Sequence, residues 1–194
     1  MPRVNVAADA EIIEELEQEV KKRGYTMYAI TNIALKAILE ILKEGGDSET
    51  LSSLVEYYRT TKDLEIIPVT VWYLENLVKI AYSADQKKTL EVCETTGLQL
   101  ASYLKTKANT IADVLEIYSK LKEILPVKDI SIRQNSESIE IRITGSGFGI
   151  ESTSCASLIV KKILEEYGFE IETLTPSPGG IIFIKAKIKK SWPT

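Results

Sequence analysis

Histidine is absent from all 194 residues of the chain, and cysteine occurs only twice. Without histidine, neither Ser-His nor Cys-His nucleophilic catalysis can be assembled, and most zinc sites are excluded. Cys93 and Cys155 have no CxxC neighbours, so the spacing indicates no four-ligand metal site. No paired acidic constellation stands out either. We therefore expect no enzymatic activity, no catalytic residues, no metal and no cofactor.

The two cysteines lie in segments that are typical of packed helices. Ala156, Leu158 and Ile159 follow Cys155, which favours a buried core thiol over a thiol whose pKa is lowered by a helix terminus. Cys93 in "LEVCETTGLQLASYL" has the same character. A disulfide between them is compatible with the sequence, but nothing in the pattern indicates one.

Long hydrophobic runs are also missing, since none approaches the roughly 20 residues that span a bilayer. The N-terminus lacks the basic-then-apolar layout of a signal peptide. A cytoplasmic location without membrane contact is the expectation. The net charge of −4 gives no general attraction to nucleic acid, so any such contact must come from a local patch.

The chain opens with "PRVNVAADAE", whose alternation over residues 3–8 predicts a half-buried strand. One face carries Val4, Val6 and Ala8, and the other carries Arg3, Asn5 and Ala7. No second strand candidate lies nearby, so the predicted strand has no partner in its own neighbourhood.

Two helices follow the predicted strand. The first begins near Asp9, which is a good N-cap, and Gly24 ends it. The second is capped by Thr26 and carries a wide apolar stripe up to Leu42. The segment "EGGDSE" at 44–49 predicts a linker, which divides the chain into a domain over 1–45 and another over 50–194.

The C-terminal domain is predicted to be helical at first and then a sheet. Helices are expected over 51–59, 72–82, 87–105 and 111–125, while 66–71 is either a strand or an extended connection because of Pro68. "KDISIRQNSESIEIRIT" then predicts a hairpin, followed by a helix over 152–167 and the strands "FEIETLT" and "GGIIFIKAKIKK". The fold class is therefore α+β, with one antiparallel sheet that has helices on one face.

Two further features of this domain have structural interpretations. "GSGFG" at 145–149 does not match the GxGxxG nucleotide fingerprint, so we expect a strand-to-helix turn that needs positive φ. A set of aromatic side chains is expected to pack in the helical core rather than line a pocket: Tyr57, Tyr58, Trp72, Tyr73 and Tyr82.

The order strand, helix, glycine turn and helix, together with "RGYTMYAITNIALKAIL", resembles the ribbon-helix-helix family of DNA-binding proteins over residues 2–45. The resemblance implies that the strand pairs antiparallel with its copy in a second chain. The two-stranded ribbon would then lie in the DNA major groove, which is wide enough to accept it. The missing partner is thus expected to be a second copy of the protein.

The resemblance also implies which residues meet DNA. Arg3, Asn5 and Ala7 match the base-reading positions: arginine can contact guanine, asparagine can contact adenine, and alanine can touch only a thymine methyl. The N-terminus of the second helix, at Thr26, Met27 and Tyr28, would offer backbone N–H groups to a phosphate. Met27 replaces the basic or polar residue that is common in the family.

The C-terminal segments "ETTGLQLASYL", "SCASLIVKKILEEYGFEIETL" and "IIFIKAKI" resemble vinyl-reductase-type ligand domains and the related transport-particle adaptor fold. The resemblance implies an effector-binding or dimer-extending domain. The family's cysteine cluster for a metal is missing, because Cys155 stands alone.

Together these features favour a transcription regulator that reads double-stranded DNA as a homodimer or higher even oligomer, with a small-molecule effector as a further partner. The alternative is an interaction, partition or adaptor protein whose ribbon only dimerises. The acidic residues over 9–19 favour that alternative, because five glutamates and an aspartate make a poor DNA face.

Overall fold

A computed structural model describes residues 5–122, 125–134 and 138–189, and the chain divides into two units, residues 1–51 and 52–194. The described residues form helices and one antiparallel sheet, which confirms the α+β class. Each unit is described by itself below.

The N-terminal unit is built on α1 (Ala10–Lys22) and α2 (Met27–Lys43), as the sequence predicts. Gly24 adopts φ +72°, the left-handed conformation that favours glycine after a helix. The Tyr25 amide then donates to the Val20 carbonyl at 3.0 Å, which closes the turn over buried Val20. Asp9 is the N-cap residue of α1, as predicted, and its carbonyl accepts from the Ile13 amide at 3.1 Å, but its side chain makes no capping hydrogen bond.

The strand predicted over residues 3–8 is not formed in the part that the structure describes. Residues 5–9 carry no strand assignment, while Arg3 and Val4 lie outside the described residues. Val6, which lies on the apolar face of the predicted half-buried strand, has 64% of its surface exposed. The physical reason is that a strand exists through backbone hydrogen bonds with a neighbour, and a single chain supplies none here.

The C-terminal unit begins inside α3 (Ser48–Asp63), which starts earlier and ends later than predicted. Residues 64–70 then form a connection rather than a strand. The next helices are α4 (Val71–Ala84), α5 (Gln86–Lys105) and α6 (Ile111–Leu121). Helix α6 opens on a capping box between Thr110 and Asp113 and ends before the predicted residue 125.

A four-stranded antiparallel sheet with one crossover helix completes this unit, as predicted. Its elements are β1 (Val127–Gln134), β2 (Ser138–Gly145), α7 (Ile150–Glu166), β3 (Phe169–Ser177) and β4 (Ile181–Ile188). The strand order is β1-β2-β4-β3. The central strands β2 and β4 alternate buried and more exposed residues, because only one of their faces meets the helices.

The core lies between that sheet face and helices α5 and α7. Three isoleucines of β2 and three apolar residues of β4 form its floor, at Ile139, Ile141, Ile143, Ile182, Ile184 and Ala186. Leu104 of α5 and Leu164 of α7 cover them from above. Tyr167 is also buried, and its hydroxyl donates to the Ala108 carbonyl at 3.0 Å.

Helices α5 and α7 pack in parallel and very closely. A Cβ placed on Gly97 would lie 2.8 Å from the Lys162 Cβ and 2.9 Å from the Ile159 Cα. One turn earlier, Cys93 and Cys155 are joined by a disulfide, so the prediction of two core thiols is wrong. Both cysteines lie on the facing sides of the two helices. The sequence of each helix alone does not show that these sides face each other.

An ion pair connects the end of α3 to the segment after α5. The Lys107 ammonium lies 2.8 Å from an Asp63 carboxylate oxygen and 4.8 Å from the centre of the Tyr103 ring. The Asp63 carboxylate beside it raises the pKa of Lys107 to about 12. The Lys107 hydrogen bond in turn holds the pKa of Asp63 below its usual range.

The aromatic residues of α3 and α4 do not behave as predicted. Tyr57 and Tyr82 are half-buried, but Trp72 has 75% of its surface exposed, and Tyr58 and Tyr73 are exposed as well. Core packing of the whole set is therefore wrong for the single chain, because little packs on the outer sides of these two helices.

Gly97→Ala tests the α5–α7 contact. Overpacking at this site is expected to lower the free energy of unfolding by about 1–3 kcal/mol, although alanine has the higher helix propensity. Urea unfolding followed by circular dichroism measures the change. Gln99→Ala on the exposed side of α5 is the control and is expected to stay within about 0.5 kcal/mol of the parent. A Gly97→Ala variant as stable as the parent would contradict the contact.

Opening the disulfide is expected to destabilise the C-terminal unit. The bond joins residues 62 positions apart, so loop entropy alone predicts a loss of about 4 kcal/mol. The measurement compares urea midpoints with and without reductant. The double variant Cys93→Ala, Cys155→Ala serves as the control because reductant must leave its midpoint unchanged. Equal midpoints for the oxidised and reduced parent protein would refute the expectation.

Candidate nucleic-acid interface

The predicted base-reading residues lie at the start of the chain. Asn5 and Ala7 are exposed in the segment that leads into α1, and Arg3 lies outside the described residues. Among the described residues, neither Asn5 nor Ala7 forms a hydrogen bond with Thr26. Both remain accessible to a partner.

The first turn of α2, at which a phosphate contact is predicted, begins with a capped N-terminus. Thr26 is extended, and its hydroxyl oxygen accepts from the Ala29 amide at 3.2 Å, which confirms the predicted cap. The hydroxyl proton stays available for donation. The carbonyl of exposed Tyr28 accepts from the Asn32 side chain at 2.7 Å, which stiffens this turn. Met27 is half-buried and adds no charge.

Positive charge near this terminus comes from the end of α1. Lys22 and Arg23 both pair with Glu19, at 2.7 and 3.8 Å, and the Lys22 partner lowers the pKa of Glu19. Lys21 is exposed and forms no ion pair with another described residue. The local charge is therefore only weakly positive, and the first turn of α2 depends on backbone N–H groups for any anion contact.

Helix α2 has an apolar surface that the described residues of its own unit leave exposed. None of its residues is buried, although its central and final turns are rich in leucine and isoleucine. The exposed members include Ile33, Leu35, Leu39 and Leu42. A helix that is apolar on most sides is stable in water only when other elements cover it. Much of the apolar surface of α2 is therefore exposed within the described residues.

The glycine stretch at 145–149 is explained by structure. Gly147 has φ +82°, as predicted for the turn, and Gly145 contacts Gly180 so closely that a Cβ would lie 3.1 Å from the Gly180 Cα. The Gly149 amide, at the start of α7, donates to a carboxylate oxygen of Glu75 at 3.0 Å. An acidic side chain already occupies this helix terminus, which disfavours a nucleotide phosphate there. Sequence reasoning missed Glu75, because no local pattern links α4 to α7.

Two hollows on the described surface are candidates for an effector site. One, of about 60 Å³, lies on the open sheet face between Arg133, Arg142 and Phe183, and holds only a few waters. The other is an open groove of about 770 Å³ beside Phe169 and Ile188. Within the described ranges, no group of three histidine, cysteine or acidic side chains is placed to hold a metal ion.

Membrane-spanning potential is limited to one bent pair. In the described part of the chain, no single helix is long and apolar enough to cross a bilayer; α1 and α2 meet the criterion only jointly, with a 111° bend between them.

Comparison with known proteins adds no identification. No protein-family model matches the chain, and no curated protein matches it in sequence.

Replacing the Thr26 cap tests the geometry of the α2 terminus. Thr26→Ala removes the acceptor for the Ala29 amide and is expected to cost about 1 kcal/mol of local stability. Hydrogen exchange at the Ala29 amide should then accelerate about fivefold. Thr26→Ser keeps the oxygen and should exchange like the parent protein. Equal exchange rates for the parent and Thr26→Ala would show that the cap is not formed.

Proposed function

We propose that this protein is a sequence-specific DNA-binding transcription regulator that acts as a dimer. The observation that carries the proposal is the N-terminal unit: an exposed segment leads into α1, a Gly24 turn, and a Thr26-capped α2 whose apolar surface is uncovered. This is the helical part that the ribbon-helix-helix resemblance implies. The ribbon itself is part of the proposal.

Dimerisation would complete the unit in two ways. The segment over residues 3–8 would pair antiparallel with its copy, which supplies the backbone partners that one chain lacks. The exposed apolar residues of α2, such as Ile33 and Leu39, would pack against the second copy. The same event would thus form the sheet and bury the helix.

The paired ribbon would present Arg3, Asn5 and Ala7 to the major groove. Asn5 would bind adenine through two hydrogen bonds, Arg3 would bind guanine, and Ala7 would touch only a thymine methyl. The Thr26 hydroxyl and the amides of Met27 and Tyr28 would hold a backbone phosphate and fix the register. With net charge −4, binding depends on these local contacts rather than on the field of the whole protein.

The C-terminal unit would bind an effector or extend the dimer. An effector can alter DNA affinity only if it binds one arrangement of the two copies better than another. A cytoplasmic location, where the chromosome is accessible, belongs to the same proposal.

A second candidate is a partition or adaptor protein whose N-terminal unit only oligomerises. The acidic surface of α1 favours it: Glu11, Glu14, Glu15 and Glu17 are all exposed. In this case the ribbon would form without approaching DNA.

DNA binding is tested with duplexes selected from a random library by the full chain. Asn5→Ala and Arg3→Ala should each weaken binding about 5- to 150-fold, since each bidentate base contact is worth about 1–3 kcal/mol. Fluorescence anisotropy measures the dissociation constant. Asn76→Ala, the same substitution on exposed α4, is the matched control and should bind like the parent.

The salt dependence separates the two candidates. A regulator must show affinity that falls as salt rises, because phosphate contacts release counterions. If neither Asn5→Ala nor Arg3→Ala changes affinity, the base-reading assignment fails. If no selected duplex binds with a salt-dependent affinity, the adaptor candidate takes its place.

A further inference from the structure

The sheet has two edges, and they differ in how well they are protected. At one edge, β3 carries Pro176, which has no N–H to offer, and a register irregularity between Ile171 and Thr173. Both features discourage pairing with another strand. At the other edge, the irregularity in β1 ends at Asp129. Residues 129–133 are therefore a regular edge whose outer N–H and C=O groups have no strand beside them within the described residues.

The side chains of this edge strand are typical of an interface and do not protect the edge against pairing with another strand. Ile130 and Ile132 point to the core face and are only half-buried, because the sheet stops at β1. Asp129 and Arg133 lie on the opposite face, are exposed, and form no ion pair with another described residue. A neighbouring strand with the same alternation would cover the isoleucines and pair the charges.

The strand is complementary to itself in one register. If two copies of β1 pair antiparallel about a twofold axis at Ser131, Ile130 meets Ile132 of the other copy on the core face. On the outer face, Asp129 meets Arg133 of the other copy, and each pair occurs twice. Directly opposed residues in an antiparallel pair always share a face, which this register satisfies.

Neighbouring registers lose this match. An axis at Ile130 would place Lys128 opposite Ile132, and an axis at Ile132 would place Ser131 opposite Arg133. Neither pairs opposite charges, and neither opposes the two isoleucines. Charge and apolar pattern thus select the axis at Ser131.

We propose that β1 is a homotypic docking edge, at which a second copy of this chain adds its β1 antiparallel about Ser131 to form a continuous eight-stranded sheet. The pairing forms about four to six intermolecular backbone hydrogen bonds. It lies in the C-terminal unit and specifies how that unit would extend the proposed dimer, but it requires no DNA contact, so the two proposals can fail separately.

Cysteine crosslinking locates the axis in the full chain. Opposed Cα atoms in an antiparallel pair lie about 4.5–5.5 Å apart, within disulfide range. Ser131→Cys should therefore form a covalent dimer under mild oxidation without DNA, read on a non-reducing gel. Thr175→Cys, an exposed position in the middle of β3, is the matched control and should yield at least fivefold less dimer.

A charge swap tests the register in the Ser131→Cys background. Asp129→Arg opposes two arginines, and Arg133→Asp opposes two aspartates, so each alone should lower the crosslinked fraction several-fold. The two together restore opposite charges and should restore crosslinking. Thermal unfolding of each variant checks that the sheet is intact.

Two results would overturn the proposal. Equal crosslinking at Ser131 and Thr175, or none at Ser131, would show that β1 does not pair with its own copy about Ser131. Crosslinking that the double swap fails to restore would refute the Asp129–Arg133 pairing. Neither result bears on the DNA titration, which uses Asn5 and Arg3.

Discussion

The contact between α5 and α7 is the constraint on which the C-terminal unit depends. Gly97 allows the backbone of α7 to approach α5 at Ile159, and the Cys93–Cys155 disulfide fixes the two helices one turn away. At this separation Leu104 and Leu164 both pack against the isoleucines of β2 and β4. The ion pairs of Glu94 with Lys161 and Lys162 lie along the same seam, at 3.7 and 4.0 Å, and add little by themselves because they are partly exposed.

Much of this fold could be predicted because its signals are local. Helices α1, α2, α4, α5 and α7, the hairpin β1–β2 and the strands β3 and β4 all follow from apolar period and turn residues. The Thr26 cap is equally local, since it needs only a hydroxyl three residues before an amide. Helix ends were less well predicted. The Thr50 amide donates to the Asp47 carboxylate, and α3 begins at Ser48, before its apolar pattern does. Helix α6 begins at Ile111 after the Thr110 cap, as predicted, but it ends at Leu121, before its apolar pattern does.

The features that sequence reasoning missed depend on contacts between residues that are far apart in the sequence. The disulfide needs Cys93 and Cys155 to face each other on two helices, and Glu75 needs α7 to begin beside α4. Val6 and Trp72 show the converse, because both were predicted to be covered and no described element of their own unit covers them. For the candidate interface, the Thr26 cap is confirmed, while the phosphate contact at Thr26 and the ribbon of Asn5 and Ala7 remain proposals.

The disulfide also restricts the kind of cell in which the proposed function is possible. A regulator must meet DNA inside the cell, where thiol reductants of ordinary mesophiles keep cysteines reduced. Cys93 is almost completely buried, so reductants reach the bond poorly once the unit has folded. Intracellular proteins of hyperthermophilic archaea and bacteria do carry such bonds. The proposed DNA-binding function is therefore compatible with this disulfide in cells whose cytoplasm is oxidising enough to keep protein disulfides intact.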